Sequence, residues 1–314
     1  MTDTPGGWER HAAPAGTRRA VALDLSSEPL KAFAQHGVGV LRNFLSTEEV
    51  ATLRADYVQE KRANPDAFYG PGASASVQRL LRPRAEKLMR QCSEVTGGAW
   101  APTSPANYWA YFATPKSGGN SDFAFHMDHD SFLMHQCHRN YVNLYIYIVK
   151  PDPRKSGLSL IPWSAMQEHI PHLCPKFEYS GAKHFGVDDQ GSPFIRDDFH
   201  PVESAIHPIG VHFDEISQTP DMWAGDALLF RMDLFHQTQD TETERVALSL
   251  RMIDHELPVT RLNFERMLSN PVLFQMLGPV RREKMANVFS KKEQLTFAEL
   301  QRQMRPNLPP ESKL

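Results

Sequence analysis

The stretch Phe125-His126-Met127-Asp128-His129-Asp130 holds two residue types that bind transition metals, at a spacing that can aim them at one ion. In an extended strand, residues i and i+2 point to the same side, so His126 and Asp128 would face one way and Met127 the other. An imidazole, a carboxylate and a second imidazole make the facial triad that holds ferrous iron and leaves adjacent positions open. Taken alone, H-x-D is weak, because so simple a triplet arises by chance and histidines in a surface loop are the plain alternative. His129-Asp130 also offers the paired ligands of a helical metal-dependent hydrolase. That reading needs a helix here, whereas Phe123, Phe125 and the alternating pattern favour a strand.

A second imidazole is available far downstream. Trp223-Ala224-Gly225-Asp226 reads as a tight turn entering the apolar run Ala227 to Phe230, and the chain then reaches His236. An H-x-D strand early in a barrel and a histidine late in it can converge across the mouth, although 236 − 128 = 108 positions separate them. Nine residues on, Arg245 opens the strand Arg245 to Arg251, with Arg245, Ala247, Ser249 and Arg251 on one face. A guanidinium just inside a barrel suits bidentate pairing with a carboxylate. Its competing role is a surface ion pair with Glu242 or Glu244, and Arg251 is the reserve candidate. On Tyr141 to Val149 the positions Tyr141, Asn143, Tyr145 and Tyr147 share a face. Asn143 and Tyr145 are the best placed of these to touch a bound co-substrate, unless the rings simply pack. His129, Asp130, His135, His138 and Arg139 could recognise a polar substrate, or form an exposed charged loop.

Strands are needed to position these groups. From about 106 to 254, short aromatic and β-branched runs alternate with Gly, Pro and Asp, without the helices that a doubly wound parallel sheet requires. Asn107 to Phe112, Asp122 to His126, Tyr141 to Val149, Leu158 to Pro162, Ala227 to Phe230 and Arg245 to Ile253 read as strands. The expected fold is mainly β with flanking α, a jelly-roll or cupin-like barrel. Trp163 to Thr219 reads as a long irregular segment, a candidate lid. Before the barrel, Glu28 to Gln35 reads as a helix ending at Gly37, Val38 to Leu41 as a strand, and Ser46 to Glu49 as a capping box. Val50, Leu53 and Tyr57 then make one buried stripe, and a further helix is expected from Arg84 to about Val95. After Glu256, helices are expected over Asn263 to Leu268, Pro271 to Leu277 and Arg281 to Val288. One domain over 21–304 is expected, between a mobile arm (1–20) and a frayed tail (305–314).

Composition narrows the class. Hydrophobic residues at 41% and charged residues at 23% are ordinary for a globular chain that buries a core. A net charge of −3 gives no basic excess for nucleic acid or an anionic membrane. Cys92, Cys137 and Cys174 lie too far apart for a zinc ribbon and read as reduced thiols. The N-terminus lacks the apolar core of a secretion signal, which points to a soluble, cytoplasmic protein.

The residues together resemble the phytanoyl-CoA dioxygenase-like family of Fe(II)/2-oxoglutarate-dependent oxygenases. His36 to Glu49 resembles its N-terminal strand and helix opening, and His126 with Asp128 matches its iron motif. Ser156 to Ser164 is similar to its glycine-led strand, with Trp163 in place of the usual glycine. Gly225-Asp226, His236 and Arg245 match its turn, distal ligand and co-substrate arginine, in order. The resemblance implies a double-stranded β-helix that binds Fe(II) through His126, Asp128 and His236. It further implies 2-oxoglutarate held by Arg245, consumption of O2, and release of succinate and CO2. Related halogenases lack the carboxylate at the Asp128 position, so its presence points to hydroxylation, desaturation or a similar oxidation of a small organic metabolite. A non-catalytic cupin-like metabolite-binding protein is the remaining alternative. Oligomeric state and substrate are not readable from the sequence.

Overall fold

The computed structural model describes residues 22–63, 75–102, 109–114, 124–128, 141–177, 183–197, 205–240, 242–254, 256–269, 274 and 279–304. In chain order its strands are β1 (Val38–Leu41), β2 (Trp100–Pro102), β3 (Trp109–Thr114), β4 (Tyr141–Val149), β5 (Leu158–Leu160), β6 (Lys183–Val187) and β7 (Pro193–Asp197). They continue with β8 (Ala205–Pro208), β9 (Ala227–Arg231), β10 (His236–Thr238), β11 (Arg245–Asp254), β12 (Pro258–Thr260) and β13 (Gln294–Thr296).

The larger sheet runs β1-β9-β4-β11, all antiparallel, with β3 and β2 following one another along the outer edge of β11. The second sheet is assembled around residues 124–128. His126 bridges His184 of β6 on one side and His236 of β10 on the other. Beyond β6 lie β7 and β8, and beyond β10 lies β5, whose Leu160 bridges Gln218.

Both faces of the larger sheet are covered, so β4 and β11 read as near-continuous apolar runs. Val142, Leu144, Ile146, Ile148, Leu229, Val246, Leu248 and Leu250 are buried in one cluster with Leu53, Leu81, Leu88 and Cys92. The last four come from helices α2 (Thr47–Ala63) and α3 (Ala75–Thr96). Tyr145, Tyr147, Leu228, Phe230 and Ala247 belong to the other cluster, with Leu160 of the second sheet. The period of two therefore sorts each strand between a helix-covered outer face and an inner face turned toward the second sheet. Phe230 of the larger sheet lies 5.5 Å, ring to ring, from His236 of the smaller one.

The N-terminal entry follows its local signals. The helix Pro29–His36 stops at Gly37, which adopts φ 76° and donates its N–H to the Phe33 carbonyl. Ser46 and Glu49 form the reciprocal capping box, Ser46 N–H to Glu49 at 2.8 Å and Glu49 N–H to Ser46 Oγ at 3.3 Å.

Helix α3 departs from expectation by starting at Ala75 and carrying Pro83 inside it. Proline removes one intrahelical donor, but Val77, Leu81, Ala85, Leu88, Met89 and Cys92 continue the buried stripe through it. Packing outweighs the missing bond. The segment 163–219 is likewise not irregular. It forms the helices Trp163–His169, Cys174–Phe177 and Phe213–Ile216 as well as β6, β7 and β8. These strands carry many half-exposed positions, which blur the alternation that marks a strand. At the C-terminus the helices Arg261–Ser269 and Pro279–Phe289 lie close to expectation, while 271–277 falls almost entirely outside the described residues. The pair β12–β13 and the helix Phe297–Met304 carry no signal strong enough to predict. The first twenty residues and 305–314 also lie outside the described residues. Among the described residues no helix is long and apolar enough to cross a membrane.

Candidate metal centre

Strand register brings the distant histidines together. His126 N–H donates to the His236 carbonyl at 3.1 Å, and His236 N–H donates to the His126 carbonyl at 3.0 Å. Directly opposed residues of an antiparallel pair project from the same face, so the imidazoles lie side by side, 4.7 Å between centroids. On the same face, two positions on, Asp128 places Oδ1 3.5 Å from His126 Nε2 and 3.5 Å from His236 Nε2. One ligand atom from each residue lies within 4.8 Å of the others. Phe125 and Met127, on the alternate positions, are buried in apolar packing. Phe125 packs edge-on against Phe185 and Phe213.

Both imidazoles are held by their other nitrogen. His126 Nδ1 lies 2.9 Å from the Ala124 carbonyl, and His236 Nδ1 lies 3.0 Å from the Leu234 carbonyl. A carbonyl can only accept, so Nδ1 carries the hydrogen in each ring and the Nε2 lone pairs converge beside Asp128. This pattern orients imidazoles as metal ligands.

The electrostatics favour a cation at the cluster. Burial opposes charge on Asp128, but the adjoining His126 and His236 side chains and the Arg251 charge outweigh it and hold the carboxyl well below the usual range. Burial pushes the His126 pKa down. For His236, burial acts in the same direction, but Asp128 outweighs it and the pKa rises. The donor set fits a ferrous ion, two nitrogens and one carboxylate oxygen.

Arg245 is buried between the sheets. Its Nη1 donates to the carbonyls of Ser156 at 3.1 Å and Gly157 at 3.2 Å, and Nη2 donates to Thr238 Oγ1 at 3.4 Å. Among the described residues its Nε has no hydrogen-bond partner, a donor to spare for an anion. Thr238 and His236 are same-face residues of β10, about 7 Å apart along the strand. The Tyr145 ring lies 5.8 Å from the guanidinium. Asn143, buried on the same face of β4, accepts a hydrogen bond from Ser249 Oγ at 2.7 Å. The salt bridges considered for Arg245 with Glu242 or Glu244 do not form. Glu242 pairs with Lys155 instead.

Arg251, the reserve anchor, meets Asp128 instead, Nη2 to Oδ2 at 3.3 Å. The sequence signal for this was its shared face with Arg245, but no local pattern names a partner 123 residues away. Thr238 was also missed, because a lone threonine carries no signal. His129, Asp130, His135, His138 and Arg139 lie outside the described residues, as does the side chain of Tyr141.

Two antiparallel sheets, with a His/Asp/His cluster on the inner face of the smaller one, define a double-stranded β-helix of the metal-dependent oxygenase kind. The chain belongs to the phytanoyl-CoA dioxygenase (PhyH) family, whose model matches residues 33–247. It is thereby a member of the Fe(II)/2-oxoglutarate-dependent oxygenases, whose cofactors are Fe(II), 2-oxoglutarate and O2. Among curated proteins no sequence matches significantly. Among solved structures the chain is similar to HygX from Streptomyces hygroscopicus, with nickel and 2-oxoglutarate bound (17% identity, 74% of this chain and 88% of that one, TM-score 0.45). It is also similar to the carbocyclase SnoK of nogalamycin biosynthesis (15%, 74% and 86%, 0.48) and to EctD from S. alaskensis (14%, 79% and 84%, 0.45). None is near enough to carry a substrate or a reaction to this chain.

Proposed function

We propose that the chain is a hydroxylase of a small organic metabolite, with His126, Asp128 and His236 binding iron and Arg245 binding the far carboxylate of 2-oxoglutarate. The observation that carries this reading is the convergence of two carbonyl-locked imidazoles and one carboxylate within 4.8 Å. When bound, iron and 2-oxoglutarate supply oxygen activation, with succinate and CO2 as by-products. The protein's share is placement. Arg245 aligns the co-substrate through charge and its spare Nε, and Tyr145 walls the guanidinium. Asn143, held through its carbonyl oxygen by Ser249, keeps its amide N–H groups to donate to co-substrate or substrate. Phe230 and Tyr147 pack on the same inner face.

A single oxygenase domain over 21–304 and a soluble, cytoplasmic protein complete the reading. The net charge of −3 speaks for a small-molecule substrate over nucleic acid or membrane. Anaerobic addition of Fe(II) and 2-oxoglutarate should give a weak visible charge-transfer band that His126→Ala loses. Succinate release screened against candidate metabolites should then identify a coupled substrate. A chain that shows the band but couples to no substrate would be a binding protein. One without the band would not be an oxygenase.

A further inference from the structure

We infer that Arg251 is a positioning residue for the metal centre, fixing Asp128 as a ligand through one oxygen only; this rests on the iron reading above. The two oxygens of Asp128 have different surroundings. Oδ1 stands 3.5 Å from both imidazole Nε2 atoms, whereas Oδ2 is turned to Arg251 Nη2 at 3.3 Å. A carboxylate free at both oxygens can chelate an ion through both and fill a position that the co-substrate or oxygen needs. Engaging Oδ2 with a guanidinium removes that option and fixes the carboxylate plane.

The strand frame makes the contact selective. Arg251 pairs with Asn143 across β4–β11, two places from the Ser249–Tyr145 pair. Arg245 lies six residues back on the same face, about 20 Å along an extended strand. The two arginines therefore serve opposite ends of one inner face. Arg245 reaches β5 and β10 at Gly157 and Thr238, and Arg251 reaches the metal cluster itself. Arg251 is also partly exposed, its side chain 22% accessible, so its replacement need not open the core.

The test is an anaerobic titration of the full chain with Co(II), read by its d–d spectrum, and with Fe(II) in competition with a chelator. Partners that orient a metal ligand are worth about ten- to a hundredfold in metal affinity. Arg251→Met should weaken Co(II) and Fe(II) binding by about tenfold or more and alter the d–d band shape. Arg251→Lys, which keeps a donor and a charge, should recover much of both. At saturating metal, 2-oxoglutarate affinity should change less in Arg251→Met than in Arg245→Met. Metal affinity and spectrum equal to wild type, or tighter binding, overturns the inference. So does a loss confined to 2-oxoglutarate, which would make Arg251 the co-substrate anchor. Failure of the underlying iron reading looks different: wild type and His236→Ala would then bind Co(II) alike.

Discussion

His126 and His236 form a hydrogen-bonded antiparallel pair, each donating its backbone N–H to the other's carbonyl. The separation of their imidazoles is therefore set by the backbone ladder, and mobile side-chain rotamers play little part in it. A one-residue slip of β10 would send the second imidazole to the opposite face. The cluster is as reliable as the register that builds it.

His236→Ala should cut metal affinity more than a hundredfold, since even partners that merely orient ligands are worth about ten- to a hundredfold. Isothermal titration with Fe(II) under nitrogen measures it. The thermal midpoint should move little, because the backbone pair survives without the imidazole.

Arg245→Ala should raise the KM for 2-oxoglutarate by roughly ten- to a hundredfold, the worth of charged hydrogen bonds at about 1.5–3 kcal/mol. Metal affinity without co-substrate should stay within a few fold. The variant also abandons the carbonyls of Ser156 and Gly157, so a denaturation curve must accompany the kinetics. An unchanged KM would remove Arg245 from the co-substrate site.

The turn before β9 ties the N-terminal segment to the sheet. Asp226 accepts from Arg42 at 2.7 Å, from Asn43 N–H at 2.9 Å and from Trp223 N–H at 3.1 Å. Asp226→Ala should cost roughly 2–4 kcal/mol of stability through these lost donors. Gly225 sits at φ 95°, and a Cβ there would stand 2.8 Å from the Leu45 carbonyl oxygen. Gly225→Ala should therefore also destabilise, by more than about 1 kcal/mol. Urea unfolding checks both, and neither should alter metal affinity in the folded fraction.

Lys150 predicts a pH dependence. Burial, with help from the Arg245 charge, lowers its pKa to about 8 from an ordinary 10.5. An amine whose folded pKa lies below its unfolded one binds fewer protons when folded, so its contribution to stability rises with pH between about 8 and 10.5 and is flat on either side. Subtracting the pH profile of Lys150→Met from that of wild type should reveal this rise. A flat difference would mean the amine titrates normally.

Much of this protein was settled by its sequence. His126 and Asp128 share a face because extended chain alternates, although 124–128 forms isolated bridges at His126 and not the expected strand, and the inward row of Arg245, Ala247, Ser249 and Arg251 follows from the same period. Glycine 37 and the Ser46–Glu49 box end and begin helices through contacts within a few residues, so local reading suffices. What needed the tertiary structure depends on contacts across long separations. Helix α3 runs through Pro83 because its buried stripe meets a sheet that no local window contains. Strands β6 to β8 exist because the 124–128 segment offers them an edge, and their own half-exposed residues barely announce it. Which groups Arg245 and Arg251 would meet was undecidable from their identical chemistry. Their places along one strand bring Arg245 to Thr238 and Arg251 to Asp128.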